Sequence, residues 1–369
     1  MIILYKPKNR FTFATTYQNM KYKIYSLLLF VVLLSPLSMS AQKLDWNLDV
    51  NGFFDNSEGD HHFRPTKTMD GIRLSPEVGL TWDDGKNAIY GGYTGLAEWG
   101  TKKAFSDGDA IVYYKYNWKP LRFILGSFSR DNLLGEYPSY LISDSIRYYR
   151  PNIQGFTFQY QTDKGYAEML LDWTSQQSAT QREQFMAGLS TAFRFNHFKL
   201  GLEGYYYHYA LVANSDSTQH IHDFLVAHPY VGVTYKKVLF LDSLNVNVGA
   251  LMSFDRDRNV IGKWYSPVGL LGEVTANWKR ISLKETVYAG GSQQHYRGEG
   301  YGKYYWGDTY TQAKFYSRTD TSYQIIKSRF VDSYVNLTFN ATKYGVNCHQ
   351  MLVLRANIGS SPRPRKWVR

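Results

Sequence analysis

Residues 72–98 read IRLSPEVGLTWDDGKNAIYGGYTGLAE, and residues 72–82 alternate between apolar and polar side chains. One face carries Ile72, Leu74, Val78, Leu80 and Trp82, and the other carries Arg73, Ser75, Glu77 and Thr81. A period of two is typical of a β-strand with one apolar face and one face in water. The run Asp83–Lys86 predicts a tight turn into the next strand. This stretch therefore favours an antiparallel hairpin.

The same alternation recurs along the chain, for example in 45–54, 167–173 and 335–340. It predicts fifteen strands, near 44–54, 71–82, 87–98, 109–118, 121–128, 153–161, 166–173, 184–195, 198–210, 226–236, 245–254, 267–278, 281–291, 330–340 and 349–358. Short turns alternate with longer polar loops at 55–70, 99–108, 129–152, 174–183, 211–225, 255–266 and 292–329. Short turns at one end and long loops at the other are typical of membrane β-barrels.

Aromatic residues make up 17% of the chain, although its mean hydropathy is −0.40. Half-buried strands give such a composition because one face meets lipid and the other meets water. Strands that enter short turns are predicted to end on outward-facing aromatic residues, namely Trp82, Trp118, Tyr160, Phe195, Tyr235, Trp278 and Phe339. Aromatic side chains at one depth are expected at a membrane–water interface.

On these features, residues 42–359 resemble the porin-like outer-membrane β-barrels of Gram-negative bacteria. The resemblance implies an all-β, antiparallel, up-and-down transmembrane barrel in outer-membrane lipid. It also implies a polar lumen through which small polar solutes diffuse passively. Homo-oligomers are common among such proteins, but the sequence gives no separate sign of one.

The predicted strand number is odd, whereas bacterial single-chain barrels have an even number. A sixteenth strand is therefore missing from the prediction, and three explanations are open. The 3′ end of the gene has lost the closing strand, the loop 292–329 contains further strand pairs, or the first and last strands close in parallel. The first is favoured because the N-terminus also looks misplaced and residues 360–369 form a basic tail with two prolines.

The N-terminal region carries an export signal. Met20 to Lys23 form a basic segment, an apolar run follows from Ile24 to Leu34, and small residues before Gln42 suit cleavage. The run of eleven apolar residues is shorter than the ~20 that a membrane-spanning helix needs. We therefore expect residues 1–19 to be an extension upstream of the true start and residues 20–41 to be a cleaved signal peptide.

The net charge of +11 does not indicate nucleic-acid binding, because nine of these charges lie at the two ends of the chain. Five basic residues precede position 42 and four lie in the last seven residues. Cys348 is the single cysteine, so an internal disulfide is excluded.

The loop Ser129–Asn152 mixes cations and carboxylates, and the third loop of porins commonly folds into the lumen. The resemblance therefore implies a pore constriction formed by Arg130, Asp131, Glu136, Asp144, Arg147 and Arg150. Opposite charges across a pore would orient dipolar solutes. The alternative is an ordinary solvated surface loop.

Charged residues also fall on the predicted inner face of the strands. They are Asp45, Asp49, Arg73, Glu77, Lys115, Glu168, Asp172, Arg194, Glu203, Glu273 and Arg355. Their near balance predicts a water-filled lumen with weak ion selectivity. The alternative is that they are paired wall charges without a role in selection.

Candidate catalytic groups are sparse. His208 and His228 could serve as bases, but neither has a serine two positions away on its strand face. His220, His222 and Asp223 could form a rim site of the protease type. We expect no enzymatic activity, with a lipid- or peptide-cleaving barrel as the alternative.

Metal and cofactor binding are also not expected. The pairs His61-His62 and His220/His222 lack a third ligand at a recognisable spacing, and Asp83-Asp84 and Asp255/Asp257 read as turn carboxylates. The predicted function is a porin-like channel. The alternatives are a barrel hydrolase and a plugged barrel that is structural or binds a partner.

Overall fold

In a computed structural model the chain forms a closed barrel of 16 strands. The structure describes residues 42–59, 62–215, 219–259, 263–297 and 305–360. The strands are β1 Lys43–Gly59, β2 Lys67–Trp82, β3 Asn87–Ala97, β4 Asp107–Trp118, β5 Leu121–Ser129, β6 Asn152–Thr162, β7 Gly165–Ser175, β8 Gln184–Phe195, β9 Phe198–Tyr209, β10 His222–Val238, β11 Leu241–Asp257, β12 Val268–Trp278, β13 Ile281–Gly290, β14 Phe315–Lys327, β15 Val331–Thr342 and β16 Gly345–Gly359. The predicted fold class is therefore confirmed. The predicted segments 1–19 and 20–41, and the tail beyond Ser360, lie outside the described residues.

The barrel closes through β1 and β16, which pair antiparallel from Asn47 opposite Gly359 to Gly59 opposite Asn347. The closing strand is thus present, and the favoured explanation for an odd strand number is wrong. Antiparallel closure leaves no sheet edge exposed to lipid, where unpaired backbone groups would cost several kcal/mol each.

The strand that the sequence did not reveal is β14, inside the predicted loop 292–329. Its outward face carries Ser317 and Thr319, whose hydroxyl groups each donate to a carboxylate oxygen of Glu285 over 2.6 Å. Its inward face carries Arg318 and Asp320. Polar residues on both faces erase the apolar alternation on which the prediction depended.

Connection lengths define the two ends of the barrel. At the short-turn end, seven connections of two to four residues join the strands, from 83–86 after β2 to 328–330 after β14. The long-loop end carries the connections 60–66, 98–106, 130–151, 176–183, 210–221, 258–267 and 291–314, and one two-residue turn at 343–344. In outer-membrane barrels short turns face the periplasm and long loops face outward.

The aromatic residues predicted at one depth divide between the two ends. Six of the seven lie beside short turns, namely Trp82, Trp118, Tyr160, Phe195, Tyr235 and Trp278. The prediction for Phe339 was wrong, because β15 runs towards the long loops. Phe339 pairs with Cys348 close to the long-loop end of the barrel. Tyr323 of β14, opposite Ile281, lies at the depth that Phe339 was expected to occupy.

Two segments of the long-loop end fold into the lumen, and we call them together the plug: residues 130–151, with the short helix α1 at Asp144–Tyr149, and residues 305–313. Ser143 N donates to Trp306 O over 2.8 Å, and Asp308 N donates to Ser139 O over 2.9 Å. Tyr140, Leu141 and Trp306 are buried against side chains of the wall. Among the described residues no helix is long and apolar enough to cross a membrane.

Candidate functional site

The centre of the lumen holds a polar cavity of about 160 Å³ between the plug and the wall. The plug contributes Glu136, Asp144 and Arg147, three of the six residues predicted to form a constriction. The wall contributes Arg318 and Asp320 of β14 and Arg355 of β16. Cations and carboxylates therefore face each other across this cavity.

Arg318 is the centre of this charge cluster. Its guanidinium group lies 3.0 Å from Asp308, 2.9 Å from Asp320 and 3.6 Å from Asp144. Arg147 donates to the backbone carbonyl oxygens of Glu136 and Tyr137, and burial lowers the pKa of its guanidinium group. Arg318 thus joins both segments of the plug to β14, although the sequence had placed it in a loop.

The other predicted constriction residues lie elsewhere in the plug. Arg130 forms an ion pair with Asp172, and its guanidinium carbon lies 5.0 Å from the centroid of the Trp306 ring. The corresponding carbon of Arg150 lies 5.8 Å from the same centroid. The backbone N–H of Asp131 donates to Ser129 Oγ at the start of a 3-10 turn. Arg130 and Arg150 therefore contact the Trp306 ring and do not line the cavity.

Residues predicted to face the lumen occupy the inner face of the wall, namely Asp45, Asp49, Arg73, Glu77, Lys115, Glu168, Asp172, Arg194, Glu203, Glu273 and Arg355. Several of them anchor the plug. Glu168 accepts hydrogen bonds from the backbone N–H groups of Leu134 (2.5 Å) and Gly135 (3.1 Å), and Arg73 donates to the carbonyl of Tyr148 over 3.0 Å. Much of the charge balance along the wall therefore fixes a folded segment inside the barrel.

A second cluster lies on the outer face of the wall, next to the long loops. His208 of β9 pairs with Asp223 of β10, and His208 Nδ1 lies 2.8 Å from Asp223 Oδ1. The Tyr206 hydroxyl donates to the same oxygen over 2.6 Å. Arg258 makes a two-point contact with the Asp223 carboxylate, with distances of 2.6 and 3.0 Å. We call His208, Asp223, Tyr206 and Arg258 the wall cluster.

Charge and aromatic neighbours both shape the wall cluster. The hydrogen bonds that Arg258 donates to the Asp223 carboxylate raise the pKa of the Arg258 guanidinium group, which therefore stays charged. A row of outward rings leads away from His208: its ring lies 5.1 Å from that of Phe185, which lies 5.2 Å from that of Trp173. An aromatic row of this kind suits the outer membrane–water interface.

The remaining histidines are arranged differently. His220 Nδ1 lies 3.1 Å from Asp257 Oδ2 and His222 Nε2 lies 3.6 Å from it, so Asp257, and not Asp223, is their carboxylate partner. His228 is buried beneath the plug, where its Nδ1 lies 2.9 Å from the Tyr140 hydroxyl. Among the described residues no group of three His, Cys, Asp or Glu side chains is arranged to hold a metal ion, and His61 lies outside them.

Comparison with solved structures shows the fold of outer-membrane β-barrels. The anion-selective porin from Comamonas acidovorans is 10% identical, with a TM-score of 0.54, over 86% of this chain and 100% of that one. Outer-membrane expressed OmpT of Vibrio cholerae is 12% identical, with a TM-score of 0.51, over 87% of this chain and 99% of that one. No curated protein sequence matches the chain.

The model of one protein family matches nearly the whole barrel. It is described as lipid A 3'-O-deacylase-type, and it covers residues 37–357. Because this is an enzyme family, the expectation that the chain has no enzymatic activity is wrong. The chain belongs to the lipid A 3'-O-deacylase-type family.

Proposed function

We propose that the protein is an outer-membrane hydrolase that removes an acyl chain from a lipid of the outer leaflet, with lipid A as the first substrate to test. The observation that carries this proposal is the contact between His208 and Asp223 on the outer face of the barrel. A histidine oriented by a carboxylate is the usual form of a general base. The family match supports the same reaction class.

The chemistry follows from which atoms of His208 are engaged. Nδ1 faces Asp223, and within the described residues Nε2 has no hydrogen-bond partner. In the proposed reaction Nε2 removes a proton from water, and the water oxygen attacks the ester carbonyl carbon. The bond between that carbon and the ester oxygen then breaks, and the imidazolium returns the proton to the leaving alcohol. Asp223 stabilises the imidazolium that forms in between.

The position of the wall cluster suits a lipid substrate. His208 is the last residue but one of β9 at the long-loop end, so its depth is that of the outer headgroup layer. The Arg258 side chain is 43% exposed, and its remaining N–H groups can contact an anionic headgroup. Leu225, which follows Asp223 by two residues on the same outward face, offers apolar surface to the acyl chains.

The test is deacylation of lipid A in vesicles that contain the full-length barrel, followed by mass spectrometry of the lipid. The native protein is expected to release one fatty acid, and His208→Gln to release it about 10²–10⁴-fold more slowly. His197→Gln is the matched control, because His197 is exposed in a short turn at the opposite end. Equal rates for His208→Gln and the native protein would overturn the proposal.

Passage of small polar solutes is a second candidate function. It is supported by the charged central cavity, which shares Glu136 and Lys284 with a larger vestibule at the short-turn end. Flux of a neutral sugar into vesicles that contain the barrel tests it. A flux no greater than that of protein-free vesicles would exclude this candidate and leave hydrolysis unaffected.

A further inference from the structure

A second polar space in the lumen opens towards the short turns. This vestibule has a volume of about 610 Å³, and its wall includes the turn residues Lys279 and Arg280. Glu136 and Tyr140 of the plug form its inner end. The wall cluster lies on the opposite face of the barrel wall, so the vestibule is separate from the proposed site of lipid hydrolysis.

Two carboxylates at the inner end of the vestibule form no close ion pair within the described residues, although Lys199 and Lys284 line the same space and act on Glu203 from farther away. The Glu203 side chain is buried, with the residue only 5% exposed, and within the described residues it forms no hydrogen bond and no ion pair within 4 Å. Glu136 lines the same space, and its carboxylate also has no such partner there. Glu273, by contrast, lies 2.5 Å from Lys284.

A buried carboxylate without a counter-charge is costly, and a second carboxylate nearby adds repulsion. A cationic group supplied by a solute would remove both costs. The carboxylates are also accompanied by Tyr140, whose ring can contact an ammonium group, whereas the Tyr230 ring already lies 4.7 Å from Lys199 Nζ.

The opening of the vestibule has the opposite charge. Arg194, Lys236 and Lys327 line it, and none of them forms an ion pair within the described residues. Arg194 pairs in register with Lys199, which precedes Glu203 by four residues on β9. At about 3.3 Å per residue, the cations lie roughly 13 Å from the carboxylates along the strand.

We propose that the vestibule binds short zwitterionic peptides that enter from the short-turn end. The terminal ammonium group lies against Glu203 and Glu136, and the terminal carboxylate lies against the cations of the opening. A tripeptide has a maximum extended length of about 10 Å, and the flexible side chains of Arg194 and Lys236 close the remaining gap.

The experiment is calorimetric titration of the full-length, detergent-solubilised barrel with three probes: trialanine, N-acetyl-trialanine and trialanine amide. Trialanine is expected to bind, and each blocked form to bind at least about tenfold more weakly, since each loses one charge-assisted contact. Equal binding of N-acetyl-trialanine would overturn the proposal and assign the vestibule to simple anions. No detectable binding of trialanine would also overturn it.

Substitutions locate the site. Glu203→Gln is expected to weaken trialanine binding about tenfold. The ratio of the affinities for trialanine and trialanine amide is expected to stay as it is in the native protein, because the contact with the terminal carboxylate is unaffected. Glu77→Gln is the matched control, because Glu77 is an equally buried wall carboxylate outside the vestibule, where it accepts a hydrogen bond from Tyr113 over 3.0 Å. Heat-dependent gel mobility verifies that each variant is folded. Unchanged trialanine affinity in folded Glu203→Gln would overturn the proposal.

Discussion

Ser143 and Trp306 are joined through the backbone, where the amide of Ser143 donates to the carbonyl oxygen of Trp306 over 2.8 Å. These residues belong to connections that are far apart in the sequence. Their contact makes one folded unit of the two segments of the plug. The lumen is consequently filled by ordered backbone and aromatic side chains, in addition to the charges that the wall contributes.

Trp306→Ala is expected to loosen the plug and to raise ion conductance across bilayers that contain the barrel. The ring is 2% exposed and lies within 6 Å of both Arg130 and Arg150, so its removal leaves a cavity and two guanidinium groups without their aromatic contact. Single-channel recording measures the effect. Trp99→Ala is the control, since Trp99 is exposed in a long loop. Conductance equal to that of the native barrel would contradict this role of Trp306.

Arg318→Met is expected to lower the free energy of unfolding by about 3–5 kcal/mol. It would leave Asp144, Asp308 and Asp320 inside the barrel without the cation that all three contact. Urea unfolding in lipid vesicles, followed by tryptophan fluorescence, measures the change. Lys86→Met removes an exposed pair with Asp83 and is expected to change this free energy by less than about 1 kcal/mol. Similar losses in the two variants would contradict the importance of the buried cluster.

Asp223→Asn is expected to reduce deacylation about 10²–10⁴-fold, because an amide does not stabilise the imidazolium form of His208. Tyr206→Phe removes one hydrogen bond to Asp223 and keeps both members of the dyad, so the expected loss is less than about tenfold. Initial rates at several lipid concentrations separate kcat from KM. A larger loss in Tyr206→Phe than in Asp223→Asn would show that the tyrosine, and not the dyad, is central.

Local sequence patterns were enough to predict fifteen of the strands, because most of these strands have an apolar outer face, although inward-facing residues such as Ile111 and Ile124 are also apolar. They failed at β14, where Ser317 and Thr319 face outward beside Glu285. That omission reversed the direction assigned to β15, and so it also placed Phe339 at the wrong end. It hid Arg318 as well, which is the centre of the charge cluster in the lumen.

The wall cluster could not be recognised from spacing along the chain. His208 was considered together with possible partners on its own strand face, whereas its partner Asp223 lies across the register on the next strand. Arg258 reaches the same carboxylate from beyond β11. Which residues meet across two strands depends on the register of the strand pair. Turn length and loop geometry set this register when the sheet forms, so spacing along one strand does not reveal it.

The seam between β1 and β16 imposes an order on assembly. Residues paired across it, such as Asn51 and Arg355, are about as far apart in the chain as any two residues of the barrel. Hairpins between neighbouring strands can form with short loops, but closing the seam requires nearly the complete chain. Until Gly345–Gly359 arrives, β1 and β15 each keep an open edge, and the outward-facing apolar side chains cannot enter lipid as a closed wall. Insertion of this barrel is therefore expected to be a late, all-or-none event controlled by its last strand.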